Sequence, residues 1–298
     1  RQMCIRDSSS AEYTYTCVLA SMNLEKFDEW YNTDAVFNSI VFLDAVCQEF
    51  IERAKNVKGL EKAVAFTKKS RALGLGVTGY CSYLYKNMIP YESLDAHFFN
   101  IKAFKHIRSE ADRSSEWLAE QWGEPEWCKG TGKANSHRLA IAPTKSTALI
   151  MGGLSEGINP DTAMVFTQRS AGGEIDRVNV HLLTLMKKKG VYSQKNIEEV
   201  RYAMGSVQGV DWLTDEEKLV FKTAFEIDQR VVLRSASVRA PFLDQWQSLN
   251  LFFAGSDPEE YVNEVHRDAF QDPNILGLYY VYSKAGVQAS RDECVACS

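Results

Sequence analysis

No apolar run in this sequence approaches the roughly 20 residues of a membrane-spanning helix, and its first residues do not have the pattern of a signal peptide. Basic residues are not gathered into runs, and the net charge of the 298 residues is −5. This balance argues against a general nucleic-acid surface, so a nucleotide ligand would need a local pocket. Internal repeats and low-complexity blocks are also missing.

The cysteines do not follow the pattern of a secreted disulfide protein. They are odd in number and irregularly spaced: Cys4, Cys17, Cys47, Cys81, Cys128, Cys294 and Cys297. In a chain long enough to bury a substantial core, this cysteine usage predicts that the protein functions in a reducing cytoplasm. The composition, 45% hydrophobic and 24% charged, is that of a globular protein.

The most informative stretch is residues 137–160, HRLAIAPTKSTALIMGGLSEGINP. Residues 139–142 form a short charge-free run that suits a buried strand. Pro143 ends that run, because proline has no N–H to donate to a sheet. A helix is then predicted to continue through residues 148–151.

Hydroxyl side chains lie where this helix should begin. Thr144, Ser146 and Thr147 take N-cap and first-turn positions. A helix start directly after a strand presents unpaired N–H groups to an anion, and Lys145 adds a full positive charge. On these residues alone, the stretch is either a phosphate cradle or an ordinary capped helix.

The sequence resembles the large (alpha) subunit of ribonucleotide reductase. The resemblance lies in APTKSTALIMGGLSEGINP and continues, in the family's order, through five further stretches from about residue 12 to residue 298. These are YTCVLASMNL (15–24), RALGLGVTGY (71–80), DQWQSLNLFF (244–253), NILGLYYVYS (274–283) and CVACS (294–298).

The resemblance implies a helix-rich α/β fold, the C-terminal half of a ten-stranded barrel of the ribonucleotide reductase and glycyl-radical type. It implies part of a class I ribonucleoside-diphosphate reductase, which makes deoxyribonucleotides by thiyl-radical chemistry with oxidation of a dithiol. The implied partners are a radical-generating beta subunit with a dinuclear metal centre, thioredoxin or glutaredoxin, a second alpha subunit and a ribonucleoside diphosphate. No cofactor or metal is expected on this chain, ATP and deoxynucleotide effectors should bind parts outside it, and the location should be cytoplasmic, or the host cytoplasm for a viral protein.

By the same resemblance, Pro143, Thr144, Lys145, Ser146 and Thr147 hold the substrate phosphates. Tyr280 receives the oxidising equivalent from the beta subunit, and Tyr279 passes it to the catalytic cysteine. A phenol suits this relay because its O–H can lose a proton and an electron. Adjacent strand residues point to opposite faces, so the two rings can meet only where the strand ends, twists or bulges. We therefore predict an irregularity here.

The cysteine roles also come from the resemblance. Cys17 is one of two thiols oxidised to a disulfide in each turnover, and its partner would lie upstream. Cys294 and Cys297 form a vicinal dithiol on the tail, residues 286–298, that restores those thiols by exchange. A zinc half-site is the other reading of this CxxC pair, but no second pair of ligands lies near it in the sequence.

The first eight residues are predicted to be non-native, because RQMCIRDS resembles a translated sequencing-library adapter. Cys4 is a poor thiyl candidate, since Arg6 stands where the family's Asn-x-Cys-x-Glu motif has its general base. We therefore expect residues 9–285 to be the barrel part, and the chain to be truncated just before the thiyl cysteine and inactive by itself.

Two other functions remain open at this stage. An adenosylcobalamin-dependent class II reductase shares the barrel but needs no tyrosine relay. A non-catalytic helical binding module would need neither the cysteines nor a beta subunit.

Periodicity predicts the remaining elements. Helices are expected at residues 33–54, 60–69, 93–122 and 215–236, and strands at 13–24, 163–168, 248–253 and 276–282. The spacing places Val36, Ile40 and Cys47 on the buried face of the first helix, and the third helix should have Leu94, Phe98, Ile101, Ala111 and Leu118 on or near one apolar face. Cys47 and Cys81 are expected to be core residues. Gly74, Gly76 and Gly79 match a dinucleotide fingerprint by letter, but no βαβ unit with a ribose-binding acid is evident. The family resemblance implies instead that this stretch is a closely packed helix start.

Overall fold

The computed structural model describes residues 9–16, 18–170 and 173–284. Within them, the strands are β1 Leu19–Asn23, β2 Gly74–Thr78, β3 Val165–Ser170, β4 Gly173–Val178, β5 Asn250–Ala254 and β6 Tyr280–Lys284. β1 pairs with β2 and β5 pairs with β6, both in parallel, whereas β3 and β4 form an antiparallel hairpin.

A short central segment, residues 139–141, connects the two parallel pairs. Leu139 makes a parallel bridge to Leu75 of β2, and Ile141 makes one to Gln247, just before β5. The order is therefore β1, β2, central segment, β5, β6, and all four neighbouring pairs are parallel. This is the expected helix-rich half-barrel, and the predicted fold class is confirmed.

The helices lie between these strands along the chain. They are α1 Phe27–Trp30, α2 Ala35–Ala54, α3 Glu61–Ser70, α4 Tyr80–Lys86, α5 Leu94–Trp122, α6 Lys145–Ile150, α7 Val180–Lys188, α8 Gln194–Tyr202, α9 Asp215–Val220, α10 Gln229–Arg239 and α11 Glu259–Gln271. In the part of the chain described, none of them has the length and apolar character needed to cross a membrane.

One hydrophobic core runs from β1 to α11. Val36, Ile40 and Cys47 of α2 lie in it, as the spacing predicted. The predicted apolar face of α5 is partly wrong, because Leu94 and Phe98 are 73% and 61% exposed. The buried face of this helix instead carries Ala96, Phe99, Ala103, Phe104, Ile107, Ala111 and Leu118.

Four predicted elements differ from the structure in type or by more than two residues at one end, among them the last strand, which was expected at 276–282 and begins only at Tyr280. Residues 13–16 are not in a strand, and β1 begins only at Leu19. Residues 74–78 are the buried strand β2 rather than a helix start.

The helix predicted at 215–236 is divided in two by residues 221–228. There the Gln229 side chain donates to the carbonyls of Ala224 and Ile227, and the Ala224 N–H donates to the Asp161 carbonyl. These bonds replace the helical ones and turn the chain between α9 and α10.

Close packing of β2 on the central segment predicts a severe effect of Gly76→Ala. The new Cβ would lie 2.3 Å from the Ala140 carbonyl oxygen and 3.1 Å from the Ile141 Cα. Because both are backbone atoms of a buried strand, we expect destabilisation of about 3 kcal/mol in urea unfolding.

Gly209→Ala is the matched control, since nothing lies within 4 Å of the position that its new Cβ would take. We expect its midpoint to shift little, or slightly upward through reduced freedom of the unfolded chain. Equal midpoints for the two variants would contradict the close approach of β2 to the central segment.

Candidate functional site

Residues 143–147, here called the phosphate loop, run from the end of the central segment into the first turn of α6. Thr144 has φ 57°, in the left-handed region that β-branched residues rarely adopt. Two hydrogen bonds hold it there: its hydroxyl donates to Thr78 Oγ1 at 3.0 Å and accepts the Gly157 N–H at 2.9 Å. The Thr144 side chain therefore fixes the loop to the end of β2.

This arrangement leaves the start of α6 without a side-chain cap. The side chains of Lys145, Ser146 and Thr147 are exposed, and Pro143 is half-buried. N–H groups in the first turn of a helix have no partner within the helix, so the loop has the backbone geometry of an anion cradle with two hydroxyls and one ammonium beside it.

The chain after α6 is fixed from the other side. The Ser155 N–H donates to Ser82 Oγ at 2.9 Å, the Ser82 N–H donates to Ser155 Oγ at 3.0 Å, and Thr78 Oγ1 donates to the Ser155 carbonyl at 3.2 Å. Ser82 and Ser155 are buried. α6 is consequently held at both ends by the carboxyl end of β2 and the start of α4.

The tyrosine pair lies where β6 begins. Tyr279 is in a bend and Tyr280 is the first strand residue. Their ring centroids are 4.4 Å apart with an interplanar angle of 66°. The predicted irregularity is confirmed, because the change from bend to strand lets two adjacent side chains meet.

Strand pairing connects the tyrosine pair to the segment that leads into the phosphate loop. Ile141 makes a parallel bridge to Gln247, just before β5, and Asn250 of β5 is opposite Tyr280. β5 therefore lies between the central segment and β6.

Two buried amides join these parts. Asn159 donates from Nδ2 to the Ser248 carbonyl at 3.1 Å and accepts the Asn250 N–H at 3.0 Å. The side-chain oxygen of Asn250 accepts the Tyr280 N–H at 3.2 Å. The segment after the phosphate loop is thus hydrogen-bonded to the strand that aligns Tyr280.

A third tyrosine extends the pair. Tyr282 lies two residues further along β6, and its ring centroid is 5.8 Å from that of Tyr280. It stacks on Phe252 of β5 at 5.1 Å with an interplanar angle of 7°. Phe252 and Tyr282 are opposite each other in the parallel register.

Three cysteines among the described residues are buried free thiols. Burial raises the pKa of Cys47 to about 12 and that of Cys128 to about 11, and it also raises the pKa of Cys81. Thiols held in this protonated form are poor nucleophiles. Cys47 and Cys81 are core residues, as predicted, whereas Cys17, Cys294 and Cys297 lie outside the described residues.

A cleft of ≈ 140 Å³ opens beside the carboxyl end of α6. It contains no residue of the phosphate loop and neither tyrosine of the pair. Glu25 and His181, 3.4 Å apart, lie in its wall. The hydrogen bond from His181 lowers the pKa of Glu25 more than burial raises it.

The model of the ribonucleotide reductase barrel domain matches residues 5–130 and 125–281. The chain belongs to this family. A putative ribonucleoside-diphosphate reductase large subunit of Frog virus 3 is 35% identical over 97% of this chain, and the large subunit of Invertebrate iridescent virus 3 is 36% identical over 91%. The large subunit of Danio rerio is 26% identical over 95%.

Solved structures agree with these sequences. The structure of the Actinobacillus ureae class Id ribonucleotide reductase alpha subunit matches this chain with a TM-score of 0.86. The match has 36% sequence identity and covers 97% of this chain. The chain covers 53% and 43% of the two viral relatives and 52% of the solved subunit. It therefore spans about half the length of these proteins.

Sequence reasoning missed three residues near the site. Asn159 and Asn250 carry no motif that reveals their long-range hydrogen bonds. Tyr282 could have been found, since residues i and i+2 of a strand share a face and the letters YYVY place it two residues after Tyr280.

Proposed function

We propose that this chain is the C-terminal part of the alpha subunit of a class I ribonucleoside-diphosphate reductase. One observation carries the proposal: two tyrosine rings are in contact at the start of the fifth parallel segment, and the central segment, two places away, leads into an uncapped helix start. The first feature suits radical transfer and the second suits a substrate phosphate. Membership of the reductase barrel family supports reading them together.

In this proposal the phosphate loop binds and orients the diphosphate. The N–H groups of residues 145–147 point their partial positive charge at the anion, and the Ser146 and Thr147 hydroxyls and the Lys145 ammonium supply further donors. Thr144 acts through the loop conformation that its two hydrogen bonds fix. The amide pair Asn159 and Asn250 keeps the neighbouring strands in register.

Radical transfer through Tyr279 and Tyr280 serves the chemistry at the ribose. A beta subunit with a dinuclear metal centre supplies the oxidising equivalent to Tyr280, and Tyr279 passes it to a thiyl cysteine outside this chain. Cys17 and an upstream partner give two electrons as the 2′-hydroxyl leaves as water. Cys294 and Cys297 then reduce the resulting disulfide and are themselves reduced by thioredoxin or glutaredoxin.

The remaining parts of the proposal concern the whole protein. Residues 1–8 are an adapter-derived addition, residues 9–285 belong to the barrel, and residues 286–298 are the redox tail. The complete subunit pairs with a second alpha subunit in the cytoplasm and binds ATP and deoxynucleotide effectors outside this chain.

A reductase assay tests this function directly. The complete subunit, recovered from the native gene, should convert ribonucleoside diphosphates to deoxyribonucleotides when the small subunit and a dithiol reductant are present. The purified 298-residue chain should form no product under the same conditions. Product from this chain alone, or none from the complete pair of subunits, would contradict the proposal.

The phosphate loop gives a second measurement. Lys145→Met in the complete subunit removes the one cationic side chain of the loop, so KM for the diphosphate should rise about tenfold, equivalent to about 1.4 kcal/mol, with kcat little changed. Lys195→Met, at an exposed position of α8, is the matched control and should leave KM as it is. A fall in kcat at constant KM would assign Lys145 a role other than ground-state phosphate binding.

A further inference from the structure

Tyr282 is placed to share the radical of the tyrosine pair. On β6, Tyr280 and Tyr282 are separated by one residue and so project from the same face of the strand. Val281 between them is 47% exposed, whereas both tyrosines are partly buried. The three tyrosine rings form a continuous series with centroid distances of 4.4 and 5.8 Å.

The series ends in phenylalanine within the described part of the chain. Tyr282 stacks on Phe252, and Phe252 meets Phe225 edge-on at 5.7 Å. Phenylalanine has no O–H that could give up a proton with an electron. A radical that reached Tyr282 would therefore return through Tyr280 rather than pass on along these rings.

Packing holds Tyr282 firmly in this position. Phe252 is only 3% exposed, and its N–H donates to the side-chain oxygen of Gln229 at 3.0 Å. On the same strand face, Lys284 lies 5.1 Å from the Phe225 ring and donates to the Met204 carbonyl. The ring of Tyr282 is thus fixed between Tyr280 and a buried aromatic wall.

We propose that Tyr282 is a third redox-active tyrosine, a side branch that stores the oxidising equivalent next to Tyr280. The inference rests on the proposed function, which supplies the radical on Tyr280. In the exchange, the O–H bond of Tyr282 breaks and its proton and one electron restore the O–H bond of Tyr280. Tyr280 is reduced, Tyr282 is oxidised, and no further reagent is needed. Because donor and acceptor are both phenols, the exchange is reversible.

The test uses 3-aminotyrosine at position 282, whose radical has an electron paramagnetic resonance spectrum distinct from that of tyrosyl. In the 298-residue chain, a photo-excited ruthenium complex with persulfate serves as the oxidant. We expect an aminotyrosyl signal that falls severalfold when Tyr280→Phe is added. Tyr192→Phe, which removes an exposed tyrosine outside this series, should leave the signal unchanged. A signal independent of Tyr280, or no signal, would overturn the inference.

The complete subunit with its small subunit and substrate separates this inference from the proposed function. Aminotyrosine at position 280 reports whether the radical reaches the tyrosine pair. Aminotyrosine at position 282 reports whether the radical also reaches the side branch. Signals at both positions support both proposals. A signal at 280 without one at 282 overturns the branch, and no signal at 280 overturns the relay of the proposed function, whatever the chain alone shows.

Discussion

Tyr279→Phe in the complete alpha subunit should reduce deoxyribonucleotide formation by at least about a thousandfold, more than 4 kcal/mol in activation free energy. Phenylalanine keeps the ring and therefore the contact with Tyr280, at 4.4 Å between centroids. It removes the O–H group whose proton and electron are exchanged in the proposed relay. The loss should lie in kcat, while KM for the diphosphate stays close to its original value, because the phosphate loop is unchanged.

Matched variants make this result specific. Tyr192→Phe removes one phenol from an exposed position away from the pair and should leave kcat as it is. Radical measurements on the Tyr279→Phe enzyme should show the oxidising equivalent retained upstream of the missing phenol. Normal turnover by Tyr279→Phe would instead favour a class II reductase, in which adenosylcobalamin generates the radical within one chain.

Local sequence patterns predicted the helices α2, α3 and α5 and part of the strands, whereas the half-barrel came from the family resemblance. The spacing of Val36, Ile40 and Cys47 identified the buried face of α2, because a core-facing helix repeats every 3.6 residues. On α5 the same reasoning chose Leu94 and Phe98, which are exposed. A helix of 29 residues carries apolar residues on more than one face, and only tertiary packing decides which face is buried.

The parts of the site whose functional residues are adjacent in the sequence could be predicted. The phosphate loop and the tyrosine pair are continuous motifs, and geometry even required the irregularity at Tyr279. The hydrogen bonds that align them were not predictable. Asn159 and Asn250 are 91 positions apart, and the second role of Thr144, as a tie to Thr78, depends on β2 lying beside the central segment.

A carboxylate at the other end of the central segment determines the stability of this arrangement. Asp244 accepts the N–H groups of Arg138 and Leu139 at 2.7 and 3.0 Å, and its other oxygen binds Arg108 and Arg138 at 2.6 and 2.8 Å. The side chains of Asp244 and Arg138 are only 11% and 6% exposed. This one residue therefore joins α5, the central segment and the chain entering β5.

Asp244→Asn should destabilise the chain by about 3 kcal/mol in urea unfolding, because it removes the more buried of the two carboxylates that pair with Arg108 and Arg138 and leaves only Asp112 beside them. Asp211→Asn, at an exposed position with the same chemical change, should alter the unfolding free energy by less than about 0.5 kcal/mol. Similar values for the two variants would mean that Asp112 and solvent, rather than Asp244, balance the charges of Arg108 and Arg138.

The dependence of this difference on pH follows from the pKa of Asp244. Burial raises that pKa, but the attraction of Arg138 and Arg108 and the N–H bond from Arg138 outweigh burial and hold it below its ordinary value. A carboxyl group with a depressed pKa in the folded state contributes its full stability above the unfolded value of about 4 and loses it as the pH falls through the folded value. The free-energy gap between the original chain and Asp244→Asn should therefore be constant near neutral pH and shrink below about pH 4. A gap that widened on acidification would show that protonated Asp244 is the form that folding favours.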